Sequence, residues 1–309
     1  MLSAKNIFFY YVKPLVPRPV QLLIRRYLVN KKRKISKDIW PINEAAANPP
    51  PGWQGWPDKK QFALILHHDV DTKQGHDSCR NLMDLEEKLG VRSTFFVVPE
   101  RYRVSMDLLQ EIKQRGFGLG VHGLKHDGML FVSYKTFTEQ AEKINGYLNS
   151  WDVTGFSSPS MIRRNEWMHH LDIEYSTSTF DVDPFEPQPE PANTIFPFFI
   201  CNDPNKKCFI EMPYTLPQDF TLFVLMGEKT IDIWKNKLDW IAKKGGMALL
   251  NSHPDYMNFK TVKPKPHENY PVEFYRDFIL YVKDNYKNLF WNPVSKQVAL
   301  FINQANKGT

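Results

Sequence analysis

The sequence predicts an α/β fold built on a parallel sheet, and three observations carry that expectation. From about residue 60 onward, apolar runs of strand length alternate with segments of helical period. The run Phe62-Ala63-Leu64-Ile65-Leu66 is uncharged, as a strand buried on both faces must be. Several of these runs end in histidine or aspartate, and the carboxyl ends of parallel strands are where such folds place their chemistry.

Residues 1–58 read as a basic arm and a connection that pack on the main domain, which takes up 59–309. Ten lysines and arginines precede position 41 against Asp38 alone, a charge of about +9 that leaves about −3 for the rest. A main domain with no basic excess argues against nucleic-acid binding. The apolar runs Ile7–Val12 and Val20–Val29 are far short of the ~20 residues that span a bilayer, and Lys13 spoils a signal-peptide pattern. Two readings of the arm stay open: an interfacial helix in peripheral contact with an anionic membrane, or a segment packed along the domain. Pro14, Pro17 and Pro19 favour packing, because proline breaks a long helix. The expected compartment is the cytoplasm. Residues 40–58, with Trp40, Trp53, Trp56 and the run Pro49-Pro50-Pro51, read as an extended connection that lays its rings on the domain.

The elements then follow in order. A helix around Cys79–Lys88 leads to a strand at Arg92–Val98, and a helix at Met106–Arg115 to a strand at Phe117–Val121. A helix at Thr136–Trp151 leads to a short strand near Val153–Phe156. That rhythm implies crossover helices between parallel strands. Tyr175–Pro191, proline-rich and carrying Asp181, Asp183 and Glu186, reads as an ordered wall beside a cleft. A hairpin is expected at Ile195–Ile200 and Cys208–Met212. A helix at Ile231–Lys244 stops at Gly245-Gly246, a strand runs from Met247 to His253, a helix covers Val272–Tyr286, and the tail packs as a last strand or helix. Three cysteines (Cys79, Cys201, Cys208) imply no disulfide framework and are expected as free, buried thiols, although Cys201 and Cys208 could meet across the hairpin. Aromatic residues make up 14% of the chain, which suits a sugar-stacking cleft and a tight core equally.

Three strand ends carry reactive residues. The first reads His67-His68-Asp69-Val70-Asp71. Alone, a D-x-D pair is more often a helix cap, yet two aspartates on a buried strand are costly unless paired or bound to metal. The third strand ends at His122-Gly123-Leu124-Lys125-His126, two histidines at a spacing that can grip one ion. The last reads Asn251-Ser252-His253-Pro254. Two histidines and an aspartate on a divalent metal leave positions open for water and substrate.

Together these motifs resemble the polysaccharide deacetylase family (the NodB-homology domain, carbohydrate esterase family 4), over roughly residues 60–260. The resemblance implies a distorted (β/α) barrel of seven or eight strands and a hydrolase that removes acetyl groups from N-acetylated sugars with zinc or a similar divalent ion. Carried over by motif, Asp71, His122 and His126 are the metal ligands, Asp69 the general base and His253 the general acid. Ser160 is in the position that offers an oxyanion-binding amide. The one-residue spacing of Asp69 and Asp71 leaves base and ligand interchangeable. Two positions depart from the family pattern. Ser157 stands where an arginine usually orients the base, and Ser176 follows Tyr175 where an aspartate is usual. Losing that arginine should raise the pKa of Asp69. Arg163 or Arg164 could stand in for it, and Asp181 or Asp183 could orient His253. Hydrolysis of another non-peptide C–N amide, or glycan binding without turnover, are the alternatives.

Overall fold

A computed structural model describes residues 16–188, 190–201, 207–260 and 267–307. Strand β1 (Phe62–Val70) is buried at every position and is central to the sheet. It pairs in parallel with β2 (Thr94–Val97) on one side and with β8 (Met247–Ser252) on the other. Beyond β2 come β3 (Gly118–His122), β4 (Gly155–Ser157), β5 (Tyr175–Ser176) and β7 (Phe209–Glu211), all parallel. Antiparallel β6 (Phe198–Ile200) ends the path. The order β8-β1-β2-β3-β4-β5-β7-β6 makes eight strands, and the short β9 (Phe290–Trp291) joins the start of β1. A bridge between Leu216 and Leu250 returns the chain after β7 to β8 and curls the sheet toward a barrel. This is the distorted (β/α) barrel that the motifs imply.

Helices cross over where the apolar periodicity places them: α2 (Lys73–Leu89), α3 (Met106–Gln114), α4 (Tyr134–Ser150), α6 (Asp232–Lys244) and α7 (Val272–Asn285). A single turn, α5, covers Asn165–Met168. Thr72, Ser105 and Ser133 cap α2, α3 and α4 through their hydroxyls, and Gly90 and Gly245 end α2 and α6 in the left-handed region. The tail supplies both β9 and a helix, α8 (Ser295–Lys307).

The sheet separates two apolar layers. Leu64, Leu66 and Val70 face α2 with Cys79, Leu82 and Met83, whereas Ala63 and Ile65 face the barrel interior with Leu249, Tyr175 and Met212. Period-2 alternation therefore sends His67, Asp69 and Asp71 inward and His68 outward. His68 is held there by Ser252 Oγ (2.9 Å) and Glu86 Oε1 (2.8 Å), far from any chemistry.

The arm corrects one expectation. Arg18–Ile35 is an unbroken helix, α1, with Pro17 at its N-cap and Pro19 in its first turn. A helix interior loses about 3 kcal/mol to proline, but the first turn has no N–H bond to lose. Leu22 and Val29 bury against Phe220, Val224 and Leu225 of a π-helix (Phe220–Met226). Residues 40–58 are not extended throughout, since Glu44–Ala47 and Pro57–Lys59 form short 3-10 turns; Trp40, Ala46 and Ala47 join the outer layer and Trp56 the inner one. The aromatic run Ile7–Val12 lies outside the described residues, as do residues 202–206. The residues flanking 202–206 overturn a second expectation. Cys201 and Cys208 are disulfide-bonded with Cα atoms 4.6 Å apart, because antiparallel β6 and β7 bring the positions just beyond their paired ends into bonding range. Cys79 is free and buried. Among the described residues no helix is long and apolar enough to cross a membrane.

Candidate active site

The carboxyl ends of β1, β3, β4 and β8 meet at one cavity of about 1360 Å³, whose lining includes Asp69, Asp71, His122, His126, Ser160 and His253. All six sequence-predicted core residues of the site are therefore brought together.

Asp71, His122 and His126 each offer one ligand atom, and these atoms lie within 4.8 Å of one another. Asp71 Oδ1 is 3.1 Å from His126 Nε2 and 3.4 Å from His122 Nε2, yet it is buried and accepts no hydrogen bond. A buried carboxylate oxygen left without a donor is costly, and a cation between these three groups removes the cost. The tautomer fits as well. His122 Nδ1 donates to the Ser157 carbonyl (3.1 Å), which leaves the lone pair on Nε2 facing the cluster. Gly123 makes the turn between the two histidines: it has φ +58°, and a Cβ there would meet Pro159 Cγ at 2.6 Å. His126 itself sits at φ +55°. The grouping separates the two aspartates that spacing left interchangeable, since Asp71 joins the histidines and Asp69 has other partners.

Asp69 Oδ1 accepts from His67 Nε2 (2.7 Å) and Ser157 Oγ (3.1 Å), and Oδ2 accepts from Asn251 Nδ2 (2.9 Å). Burial pushes this carboxyl up, but the neighbouring His122 and His67 outweigh it and hold Asp69 well below the usual carboxylate range. That overturns the expected upward shift. The expectation took the missing arginine as the only support for the base, whereas His67, Ser157 and Asn251 supply three donors. Burial lowers the pKa of His67, whose ring is stacked on Phe96 at 4.2 Å. Neither arginine reaches the site. Arg163 donates to the Met161 and Glu190 carbonyls and lies over Phe180, and Arg164 lies over Trp167.

His253 is oriented by a residue that the sequence motifs did not single out. Its Nδ1 donates to Asp219 Oδ1 (2.7 Å) and its backbone N–H to Asp219 Oδ2 (2.8 Å), while Tyr270 Oη donates to Oδ2 (2.9 Å). Burial opposes a charged imidazole, but the Asp219 carboxylate prevails and raises the pKa of His253 to about 10. Asp181 and Asp183 do not take this part. Asp181 pairs with buried Lys237 (2.5 Å), and Asp183 accepts from the Phe185 N–H (2.7 Å). The signal for Asp219 was its place as a lone acid immediately before the apolar run Phe220–Met226, where it caps the π-helix through Phe220 N–H. Asp255 is a second unforeseen member. It accepts from the backbone N–H groups of Asp71 (3.0 Å) and Thr72 (2.9 Å), fixing the loop that carries Asp71. Gly75 leaves it room, since a Cβ would meet Asp255 Oδ2 at 2.1 Å.

Ser160 stands in a tight turn after β4, with φ +56°, and faces the cavity. The segment 175–191 contributes Phe185, Glu186 and Pro187 to the cavity, the wall that its prolines and aromatics foretell.

Comparison with known proteins gives concordant findings. Residues 58–164 match the family model described as polysaccharide deacetylase. The uncharacterized protein YlxY of Bacillus subtilis (strain 168) is 24% identical over 104 residues, 34% of this chain and 31% of that protein. The chain thus spans about a third of the length of this curated relative. A putative polysaccharide deacetylase from Mycobacterium smegmatis has the same fold, with a TM-score of 0.63 at 15% identity over 81% of this chain and 93% of the other. The Puue allantoinase is as close in fold, with a TM-score of 0.63 at 15% identity over 86% and 98% of the two chains.

Proposed function

We propose that the chain, whose residues 58–164 match the polysaccharide deacetylase family model, is a hydrolase of non-peptide C–N bonds that removes the acetyl group of an N-acetylated sugar with the help of a divalent metal ion. One observation carries the proposal: Asp71, His122 and His126 converge as a ligand set in the cavity that also holds Asp69 and His253.

The residues that would hold the ion are Asp71, His122 and His126, and two imidazoles with one carboxylate are a donor set that suits zinc. A divalent ion bound there supplies Lewis acidity to the acyl carbonyl and lowers the pKa of water from 15.7 toward about 7. Asp69, ionised and fixed by three donors, takes a proton from the water whose oxygen attacks the acetyl carbon. The Ser160 backbone N–H is the proposed donor to the oxyanion that develops on the carbonyl oxygen. Because Nδ1 of His253 is engaged by Asp219, the proton it gives to the departing nitrogen is the one on Nε2. The C–N bond breaks, and the products are acetate and a free amine. Phe185 and Tyr256 are aromatic residues of the cavity wall, of the kind against which the C–H face of a pyranose packs.

The likeness to an allantoinase motivates the second reading, hydrolysis of an amide that is not on a sugar. Acetate release from N-acetylglucosamine oligomers, run beside allantoin as substrate, separates the two. Release is expected from the oligomers, and His253→Ala should lower kcat about a hundredfold or more with bound metal retained. Turnover of allantoin alone would transfer the proposal to the second reading. An unaltered rate in His253→Ala would remove the acid assignment.

A further inference from the structure

Helix α1 buries only one of its two apolar faces. Leu22 and Val29 pack on the π-helix, Arg26 Nε donates to the Leu225 carbonyl (3.2 Å) and Arg33 pairs with Glu228 (2.5 Å). The opposite side carries Val20, Leu23, Ile24, Tyr27, Leu28 and Ile35, spaced at three, four and seven residues so that they share one stripe. All six are exposed, Leu23 by 63% and Tyr27 by 69%. A soluble helix normally turns charge outward here. In α1 the outward face is apolar for its first two thirds and then bears Lys31 and Lys34 on the same stripe.

We infer that this face of α1 docks on an anionic lipid surface, the apolar stripe entering the headgroup boundary and the lysines meeting lipid phosphates. Charge selects the occupant. Arg18–Ile35 contains seven lysines and arginines and no acid, so a second copy of the helix would meet like charge, whereas an anionic bilayer meets opposite charge. Lys31, Lys34 and Lys37 make no ion pair among the described residues. Lys34 and Lys37 border a shallow hollow of about 610 Å³ with Arg33 and Trp40, a basic recess with an aromatic floor that fits a lipid phosphate. Neither device holds a protein on a bilayer strongly alone; an apolar anchor and a polybasic patch together do.

Docking here also positions the catalytic cavity. Leu22, Leu23, Arg25 and Arg26 of α1 line it, and Leu23 belongs to both the cavity rim and the exposed stripe. A docked α1 therefore sets the cavity opening beside the headgroup layer. Resting on the deacetylase reading, the sugars that reach it are those held at that surface.

Co-sedimentation of the full chain with phosphatidylcholine vesicles, with and without phosphatidylglycerol, tests the inference without using activity. The protein is expected to pellet with the anionic vesicles and to stay in solution with neutral ones. Lys31→Gln with Lys34→Gln should weaken binding about tenfold or more, from about 1 kcal/mol per lysine near the surface. Ile24→Ser with Tyr27→Ser should weaken it comparably, and both pairs are solvent-facing, so an unchanged circular dichroism spectrum certifies the fold. No binding to anionic vesicles overturns docking, as does binding that both double variants leave intact. A vesicle-independent dimer dissolved by the serine pair would assign the stripe to a second copy instead. Each of these outcomes leaves acetate release from soluble oligomers, and with it the deacetylase reading, untouched.

Discussion

At the scale of single residues, the site is a set of carboxylates and imidazoles whose protonation is settled by their immediate partners. Asp69 is kept ionised by donors, and the pKa of His253 is raised against burial chiefly by Asp219, with Asp71 and Asp69 adding to it. The second point yields a pH prediction. Asp219 holds the pKa of His253 above the ordinary histidine value, so the alkaline fall in kcat should lie above pH 6.5. Removing the nearest counter-charge in Asp219→Asn leaves only Asp71 and Asp69 to oppose burial, and the alkaline limb of the profile should move down by about one unit or more. A limb that stays in place would detach Asp219 from the acid. The same pair stabilises the fold: its contribution is complete below the ordinary histidine pKa of about 6.5 and is lost as pH climbs through the raised value. The ligands, base and acid were legible as motifs at strand ends, because chemistry-bearing residues on an apolar strand stand out. Their supports were not. Asp219 and Asp255 lie at turns, where an aspartate is an ordinary capping residue. His67 donates to a side chain two positions away, a bond that depends on inward alternation rather than on any spacing rule. Asp181 and Asp183 looked equally suitable from the sequence, and only tertiary placement gives one to Lys237 and the other to a local turn.

At the scale of elements, the strands and crossover helices followed from hydrophobic period, with their ends shifted by a few residues. Two misjudged features share a cause: a local rule was applied without regard to position. Proline was weighed as a breaker, yet Pro17 and Pro19 stand at the start of α1, where a missing N–H costs nothing. For Cys201 and Cys208 the odd, sparse count was given more weight than the hairpin across which they could meet, and the hairpin joins them. Thiol counting checks the second point. The unfolded, unreduced protein should titrate one thiol, Cys79, and the native protein none, since Cys79 is buried and its thiol is pushed up by burial. Three thiols in the unfolded, unreduced protein would show the Cys201–Cys208 bond absent. The π-helix Phe220–Met226 escaped notice because a seven-residue apolar run carries no clear period. It nevertheless links the two functional regions: its N-cap, Asp219, holds His253, and its outer face holds α1.

At the scale of the molecule, a central strand buried on both sides delivers Asp69 and Asp71 to the mouth of a curled sheet, and neighbouring strands bring the histidines to meet them. Charge is divided along the chain, with about +9 before position 41 and about −3 after it, so the basic surface belongs to the arm rather than to the barrel. That division was readable in the sequence; which side of α1 faces outward was not, because both sides are apolar. The central claim concerns the cluster of Asp71, His122 and His126. Elemental analysis of the purified protein, before and after dialysis against chelator and re-addition of zinc, tests it most directly. About one divalent ion per chain is predicted, lost in Asp71→Ala and in His122→Ala and retained in His253→Ala. A chain that binds no divalent ion even with zinc restored, or that keeps full occupancy in both ligand variants, would contradict it.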